Sequence, residues 1–133
     1  MSSLSKLPHL LSLAAATLLV GALGATTSAS AAEDGKELFK EKIWPVLESS
    51  CVGCHGDKKQ KGKLRLDSEE AFKKGGKDGV IFVAGKPADS KIIAAIKRGD
   101  DDTKMPPKDE KKLSADQIAD FEKWITAGAP WAK

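Results

Sequence analysis

A Cys-x-x-Cys-His sequence at residues 51–55 constrains this chain more than any other feature. Two cysteines at this spacing, followed directly by a histidine, are typical of covalent haem attachment. On a helical turn Cys51 and Cys54 lie on one side, so both sulfurs can reach the two vinyl groups of one porphyrin. His55 projects from the same face one turn after Cys51, where its ring can ligate the iron. The motif therefore predicts one covalent haem c, bound by Cys51, Cys54 and His55.

Two other roles are conceivable for this cysteine pair. A closed structural zinc site needs four Cys or His ligands, and residues 32–133 contain only Cys51, Cys54 and His55. A redox-active dithiol of the thioredoxin type is expected after a strand, within a βαβ pattern. Here a helical pattern precedes the motif, and no parallel-strand pattern follows it. Haem attachment is therefore favoured, and a thiol-disulfide oxidoreductase is the less favoured alternative.

The beginning of the chain has the order of a secretory signal peptide. Lys6 lies in a short charged region, an apolar run covers residues 10–23, and Ala29-Ser30-Ala31 forms an A-x-A cleavage site. The apolar run is shorter than the roughly 20 residues of a membrane-spanning helix, which favours cleavage over an uncleaved anchor. We expect a signal peptide at residues 1–31 and one haem domain at residues 32–133. The protein would then be periplasmic or otherwise exported, without stable membrane insertion after cleavage.

Helical patterns dominate the rest of the chain and predict an all-α domain. A first amphipathic helix is predicted over residues 34–44, with Asp34 as N-cap and Pro45 ending or kinking it. A short helix should follow Asp67 or Ser68 and end at Gly75. Another should follow Asp89 or Ser90 and end at residue 99. The apolar run at residues 80–83 is too short to classify, and core packing is its simplest role.

The last helix has the strongest signals. Ser114 is the predicted N-cap, and Gln117 completes a capping box. Gly128 is the predicted C-cap. The predicted buried face consists of Ile118, Phe121, Trp124 and Ile125.

Met105 is the candidate for a second axial ligand. It is the only methionine of residues 32–133, and Pro106 and Pro107 follow it and stiffen its loop. Methionine ligation favours ferrous haem and raises its potential. No second histidine is present after residue 31, so ligation by two histidines of one chain is excluded. A lysine is a competing ligand, and a haem enzyme or gas sensor with an open sixth position is the alternative function.

A basic cluster follows the motif and contains Lys58, Lys59, Lys61 and Lys63. One interpretation is a docking surface that steers an acidic redox partner, as electron donor or acceptor, to the haem edge. The other is a solvated loop. The formal net charge of the whole chain is only +3 at pH 7, which does not indicate nucleic-acid binding. Arg65 lies close to the motif and is a candidate for holding a haem propionate.

The order of the motifs resembles the planctomycete-type cytochrome c domain of exported proteins. The shared pieces are residues 43–47, 51–56, 61–67, 75–76, 85–87 with Ser90, 105–107, 113–114 and 124–131. The resemblance implies a cytochrome c-like fold of about four helices around one haem, with His55 proximal and Met105 distal. In this family the domain is often fused to larger domains, whereas this chain looks more like a diffusible carrier.

The chain departs from familiar small cytochromes c at one position. Many of them have a proline soon after the motif that anchors the proximal histidine, and here Gly62-Lys63-Leu64 occupies that region. The acceptor of the His55 Nδ1 proton is therefore not assigned. The sequence as a whole predicts an exported, class I-like monohaem cytochrome that carries electrons and is not an enzyme.

Overall fold

The computed structural model describes residues 26–98 and 103–133, so most of the predicted signal peptide lies outside the described residues. Within these ranges the chain is helical and forms no β-strand, which confirms the all-α prediction. None of the described helices is long and apolar enough to cross a membrane. The α-helices are α1 (Thr26–Leu38), α2 (Trp44–Ser50), α3 (Glu69–Lys74), α4 (Lys91–Ile96) and α5 (Ala115–Thr126).

The first helical segment differs from its prediction at both ends. α1 begins at Thr26, so Asp34 lies inside the helix and is not its N-cap. The alanines around the predicted cleavage site are strong helix formers, and they extend the helix towards the N-terminus. Pro45 does not end the helical path, because a π-helical turn (Phe39–Ile43) leads directly into α2. Pro45 thus occupies the first turn of α2, where its missing N–H is tolerated.

The core is built around an aromatic cluster that joins three parts of the chain. The ring of Phe39 lies 4.4 Å from that of Trp131 and 5.5 Å from that of Trp124, measured between centroids. Phe72 of α3 lies 5.3 Å from Trp124. Such rings bury about 150–250 Å² each and dominate the energetics of a small core. The cluster therefore fixes α3 and the C-terminal segment against the helical path that leads to the haem motif.

Both ends of α3 and the N-terminus of α5 follow the predicted capping chemistry, whereas the C-cap of α5 is Ala127 and the predicted Gly128 comes one residue later. Ser114 Oγ accepts a hydrogen bond from the Gln117 N–H at 3.1 Å, and Gln117 Oε1 accepts one from the Ser114 N–H at 2.9 Å. Ser68 Oγ accepts one from the Ala71 N–H. Phe121, Trp124 and Ile125 are buried as predicted, and Ile118 packs at the edge of the core.

Ser90 occupies the predicted N-cap position of α4 but makes different contacts. Its hydroxyl accepts a hydrogen bond from the Val83 N–H at 2.9 Å and donates one to the Lys86 carbonyl at 2.8 Å. The side chain is 2% exposed, so it closes the turn before α4 instead of capping the helix. Core packing of residues 80–83 is only partly correct, because Val80 and Val83 are exposed.

Candidate haem site

The Cys-x-x-Cys-His motif forms a helical turn directly after α2. The Cys51 N–H donates to the Leu47 carbonyl at 2.9 Å, so the motif continues from the end of the helix. The His55 N–H donates to the Cys51 carbonyl at 2.9 Å, which closes one turn between the two residues. Cys51 and Cys54 are free thiols and both are half-buried. The backbone at residues 51–55 therefore forms one turn, and attachment of a haem by its side chains stays a prediction.

His55 is the buried polar residue of this turn. It is 8% exposed, and its Nδ1 has no hydrogen-bond partner among the described residues. Its carbonyl accepts a hydrogen bond from the Leu66 N–H at 2.8 Å, which holds the backbone in place. With Nδ1 buried, Nε2 is the nitrogen available for an iron. Two free thiols and a buried imidazole on one turn fit a covalently bound haem c.

The sequence left the acceptor for the His55 Nδ1 proton unassigned, and the structure shows none. In the region that replaces the familiar proline, the Gly62 carbonyl instead accepts a hydrogen bond from the Lys77 N–H at 2.8 Å. A buried nitrogen without a partner is rare in folded proteins. His55 is therefore positioned by its backbone bonds and its burial.

Burial gives Cys51 an unreactive thiol. Desolvation, with a smaller contribution from neighbouring Cys54, raises the pKa of Cys51 to about 11. Redox-active Cys-x-x-Cys motifs show the opposite behaviour, because their nucleophilic thiol has a lowered pKa. At neutral pH Cys51 is almost entirely in the thiol form, which argues against the dithiol alternative.

Met105 lies in the loop between α4 and α5 and is half-buried. Its N–H donates to the Ala95 carbonyl in the last turn of α4 at 2.9 Å, and Pro106 beside it is buried. Among the described residues no hydrogen bond joins Met105 to the motif. The structure thus anchors the backbone of the candidate ligand, and iron ligation by its sulfur stays a prediction.

Arg65 forms an ion pair with Asp67, a contact that the sequence did not predict. Its Nε donates to Asp67 Oδ1 at 3.0 Å and its Nη2 to Asp67 Oδ2 at 2.7 Å. The pair lowers the pKa of Asp67 and raises that of Arg65. The alternating pattern at residues 64–66 could have predicted this pair. Residues two apart in an extended segment share a face, as Arg65 and Asp67 would. The Arg65 side chain is 38% exposed, and Nη1 makes no hydrogen bond among the described residues, so a role in holding a propionate stays a prediction.

The basic cluster after the motif is exposed as predicted, and it borders a groove that the sequence did not reveal. Two cavities of about 250 and 400 Å³ have four lining residues in common. Both are lined by Gln60, Lys63, Lys74 and Gly75. Lys63 and Lys74 are 11 positions apart in the sequence. The Gly75-Gly76 pair was the one sequence signal that their two loops could come close together.

Comparison with known proteins supports the haem interpretation of this site. Residues 51–109 match the family described as planctomycete cytochrome C, and this segment begins at Cys51 and extends beyond Met105. No curated protein and no solved structure matches the chain. A cytochrome c family implies a covalent haem, for which Cys51, Cys54 and His55 supply the motif. Residues 51–109 of the chain therefore carry the planctomycete cytochrome c match that the order of the motifs predicted.

Proposed function

We propose that this protein is an exported monohaem c-type cytochrome that transfers single electrons between redox partners, with His55 and Met105 as axial ligands. The observation that carries the proposal is the turn at residues 51–55, which presents two free thiols and a buried imidazole within the family segment. The loop of Met105 is anchored on α4 and supplies the second candidate ligand.

Four residues would bind the haem in such a carrier. When bound, haem c supplies a one-electron Fe(III)/Fe(II) couple. Cys51 and Cys54 would hold the haem through thioether bonds, and the imidazole of His55 would ligate its iron. The thioether of Met105 would supply a second ligand that favours the ferrous over the ferric state. No covalent bond of the protein changes during transfer, so its main task is to hold both ligands still.

A visible spectrum of protein matured in a host with haem c attachment tests the proposal. A haem c spectrum with the weak red band of methionine-ligated ferric iron is expected. A high-spin spectrum that binds carbon monoxide at once would instead indicate a sensor or enzyme with an open sixth position. Protein that contains no haem would contradict the proposal and favour a thiol-disulfide oxidoreductase that uses Cys51 and Cys54.

The partners of this carrier are proposed to be redox proteins with acidic surfaces. Lys58, Lys59, Lys61 and Lys63 are exposed beside the motif and make no ion pair among the described residues. Exposed charges of one sign accelerate association with an oppositely charged partner, and salt screens this effect. Electron-transfer rates should therefore fall as ionic strength rises, and a flat dependence would contradict docking at this cluster.

A further inference from the structure

Two loops meet beside the motif and form what we call the lysine groove, defined by Gln60, Lys63, Lys74, Gly75, Gly76 and Lys77. The Lys77 N–H donates to the Gly62 carbonyl at 2.8 Å, which joins the two loops. A Cβ on Gly76 would lie only 2.7 Å from the Gly62 oxygen and 3.1 Å from Leu64 Cβ. The absence of a side chain at Gly76 therefore allows the walls of the groove to approach.

The groove is electropositive along both walls. Lys63 on one wall and Lys74 on the other make no ion pair among the residues that the structure describes. Lys77 is partly neutralised by Asp78 at 3.0 Å. Among the residues that the structure describes, Glu70 is the only acidic one that lines the two cavities. A ligand that enters the groove therefore meets uncompensated ammonium groups from two sides.

One wall of the groove is continuous with the haem motif. Gln60 pairs with His55 in an antiparallel bridge, and the Lys61 N–H donates to the Cys54 carbonyl at 3.1 Å. A ligand between the walls would thus lie next to the turn that bears the haem. This is the location that an electron-transfer partner has to reach.

We propose that the lysine groove is the docking site for an acidic segment of the redox partner, whose carboxylates lie between Lys63 and Lys74. This inference rests on the proposed electron-carrier function and narrows its docking surface. Contacts between solvent-exposed charges are individually weak. Several of them in a groove provide specificity and still permit the rapid release that a carrier needs. Lys58, Lys59 and Lys61 then act mainly in long-range steering.

The test uses a hexaglutamate peptide as probe, titrated into the haem-loaded protein at low ionic strength and followed by NMR. The largest shifts are expected at the amides of Gly62, Gly75 and Gly76. The double variant Lys63→Glu, Lys74→Glu should bind the peptide at least about tenfold more weakly, because it reverses two charges at the contact. The control Lys40→Glu, Lys42→Glu makes the same charge change on exposed residues outside the groove, and its affinity should fall far less.

Equal weakening in both double variants would overturn the proposal, since binding would then follow net charge alone. Peptide-induced shifts confined to the other lysine-rich stretch, at residues 104–112, would overturn it as well. Gly76→Ala separates geometry from charge, because the methyl group pushes the walls apart without altering a charge. Weaker binding is expected for this variant, provided that circular dichroism shows it folded. Should it not fold, the second test is Lys63→Gln with Lys74→Gln, which removes both charges without reversing them, and unchanged affinity in that pair would refute the groove.

Two further measurements on the same protein samples test the proposed function separately from the groove. Each variant's visible spectrum and its oxidation by ferricyanide report the haem and its redox cycle without a protein partner. A wild-type protein that lacks haem or does not cycle refutes the carrier function, whatever the peptide does. A protein that cycles normally while Lys63→Glu, Lys74→Glu retains full affinity refutes only the groove.

Discussion

The backbone N–H of Met105 donates a 2.9 Å hydrogen bond to the carbonyl of Ala95, in the last turn of α4. That helix is itself held in the core by the buried side chains of Ile92, Ile93 and Ile96. The polar loop that carries Met105 is therefore attached to a packed helix at the residue before Pro106. The proposed role of Met105 as an axial ligand requires it to keep its position in both oxidation states, and this hydrogen bond fixes its backbone to α4.

Replacement of Met105 by alanine should remove the sixth ligand. The weak red band of the ferric protein should disappear, and the ferrous protein should bind carbon monoxide. Visible spectroscopy measures both changes, and Lys104→Ala, an exposed neighbour, serves as the control. A Met105→Ala protein that keeps the band and excludes carbon monoxide would show that another residue ligates the iron.

Substitutions of Arg65 and of Asp67 should shift the midpoint potential of the haem in opposite directions. A positive charge near the haem disfavours the more positive ferric state, so Arg65→Gln should lower the potential. Asp67→Asn removes a negative charge from the same place and should raise it. Redox titration measures both variants against the wild type. Two unchanged potentials would place the pair too far from the haem for Arg65 to hold a propionate.

The same ion pair should make stability depend on pH in the acid range. Arg65 lowers the pKa of Asp67 in the folded protein. The stabilisation is therefore present above the ordinary aspartate pKa and is lost as the pH falls through the lowered folded pKa. Asp67→Asn should reduce the free energy of unfolding at neutral pH only slightly, because solvent screens this exposed pair. In urea unfolding, the difference in free energy of unfolding between the wild type and this variant should become smaller as the pH falls. A difference that does not depend on pH would rule out the ion pair as its cause.

Cys51 should be alkylated slowly in folded, haem-free protein. With Cys54→Ala as background, the rate of reaction with iodoacetamide should keep rising until the pH approaches about 11, since burial is the main cause of the raised pKa. In urea the same thiol should titrate near its ordinary value of about 8.5. Mass spectrometry measures both rates. Identical profiles for the folded and unfolded protein would show that the thiol is not desolvated.

Gly35 should not tolerate a side chain, because α1 crosses the C-terminal segment there. A Cβ at this position would lie 2.6 Å from Pro130 Cγ and 2.9 Å from Ala127 Cβ. Alanine gains about 1 kcal/mol in helix propensity over glycine, whereas overpacking costs about 1–3 kcal/mol. Gly35→Ala should therefore be destabilised in urea unfolding. Gly53→Ala, with no atom within 4 Å of the new Cβ, is the control, and equal stability of both variants would contradict the crossing.

Several features could be predicted because each depends on residues only a few positions apart. The capping box of Ser114 and Gln117 spans three residues, and the turn from Cys51 to His55 spans four. Backbone bonds and side-chain reach over such distances follow directly from residue type and spacing. The order of these local features along the chain was also sufficient to identify the family.

Other features could not be predicted because a second segment decides them. Pro45 predicted an end or a kink of the helix, but the helical path continues through a π-helical turn, in which Phe39 packs against Trp124 and Trp131. The role of Ser90 depends on the position of Val83, which lies outside its helix.

The sequence by itself thus determined the helical class, the haem motif and its candidate ligands, since these rest on local spacing and residue chemistry. Only the tertiary structure decided which groups share a surface. Lys63 and Lys74 line one groove because Gly76 allows their two loops to touch. That approach depends on contacts between distant segments, and hydrophobic periodicity and capping signals carry no information about such pairings.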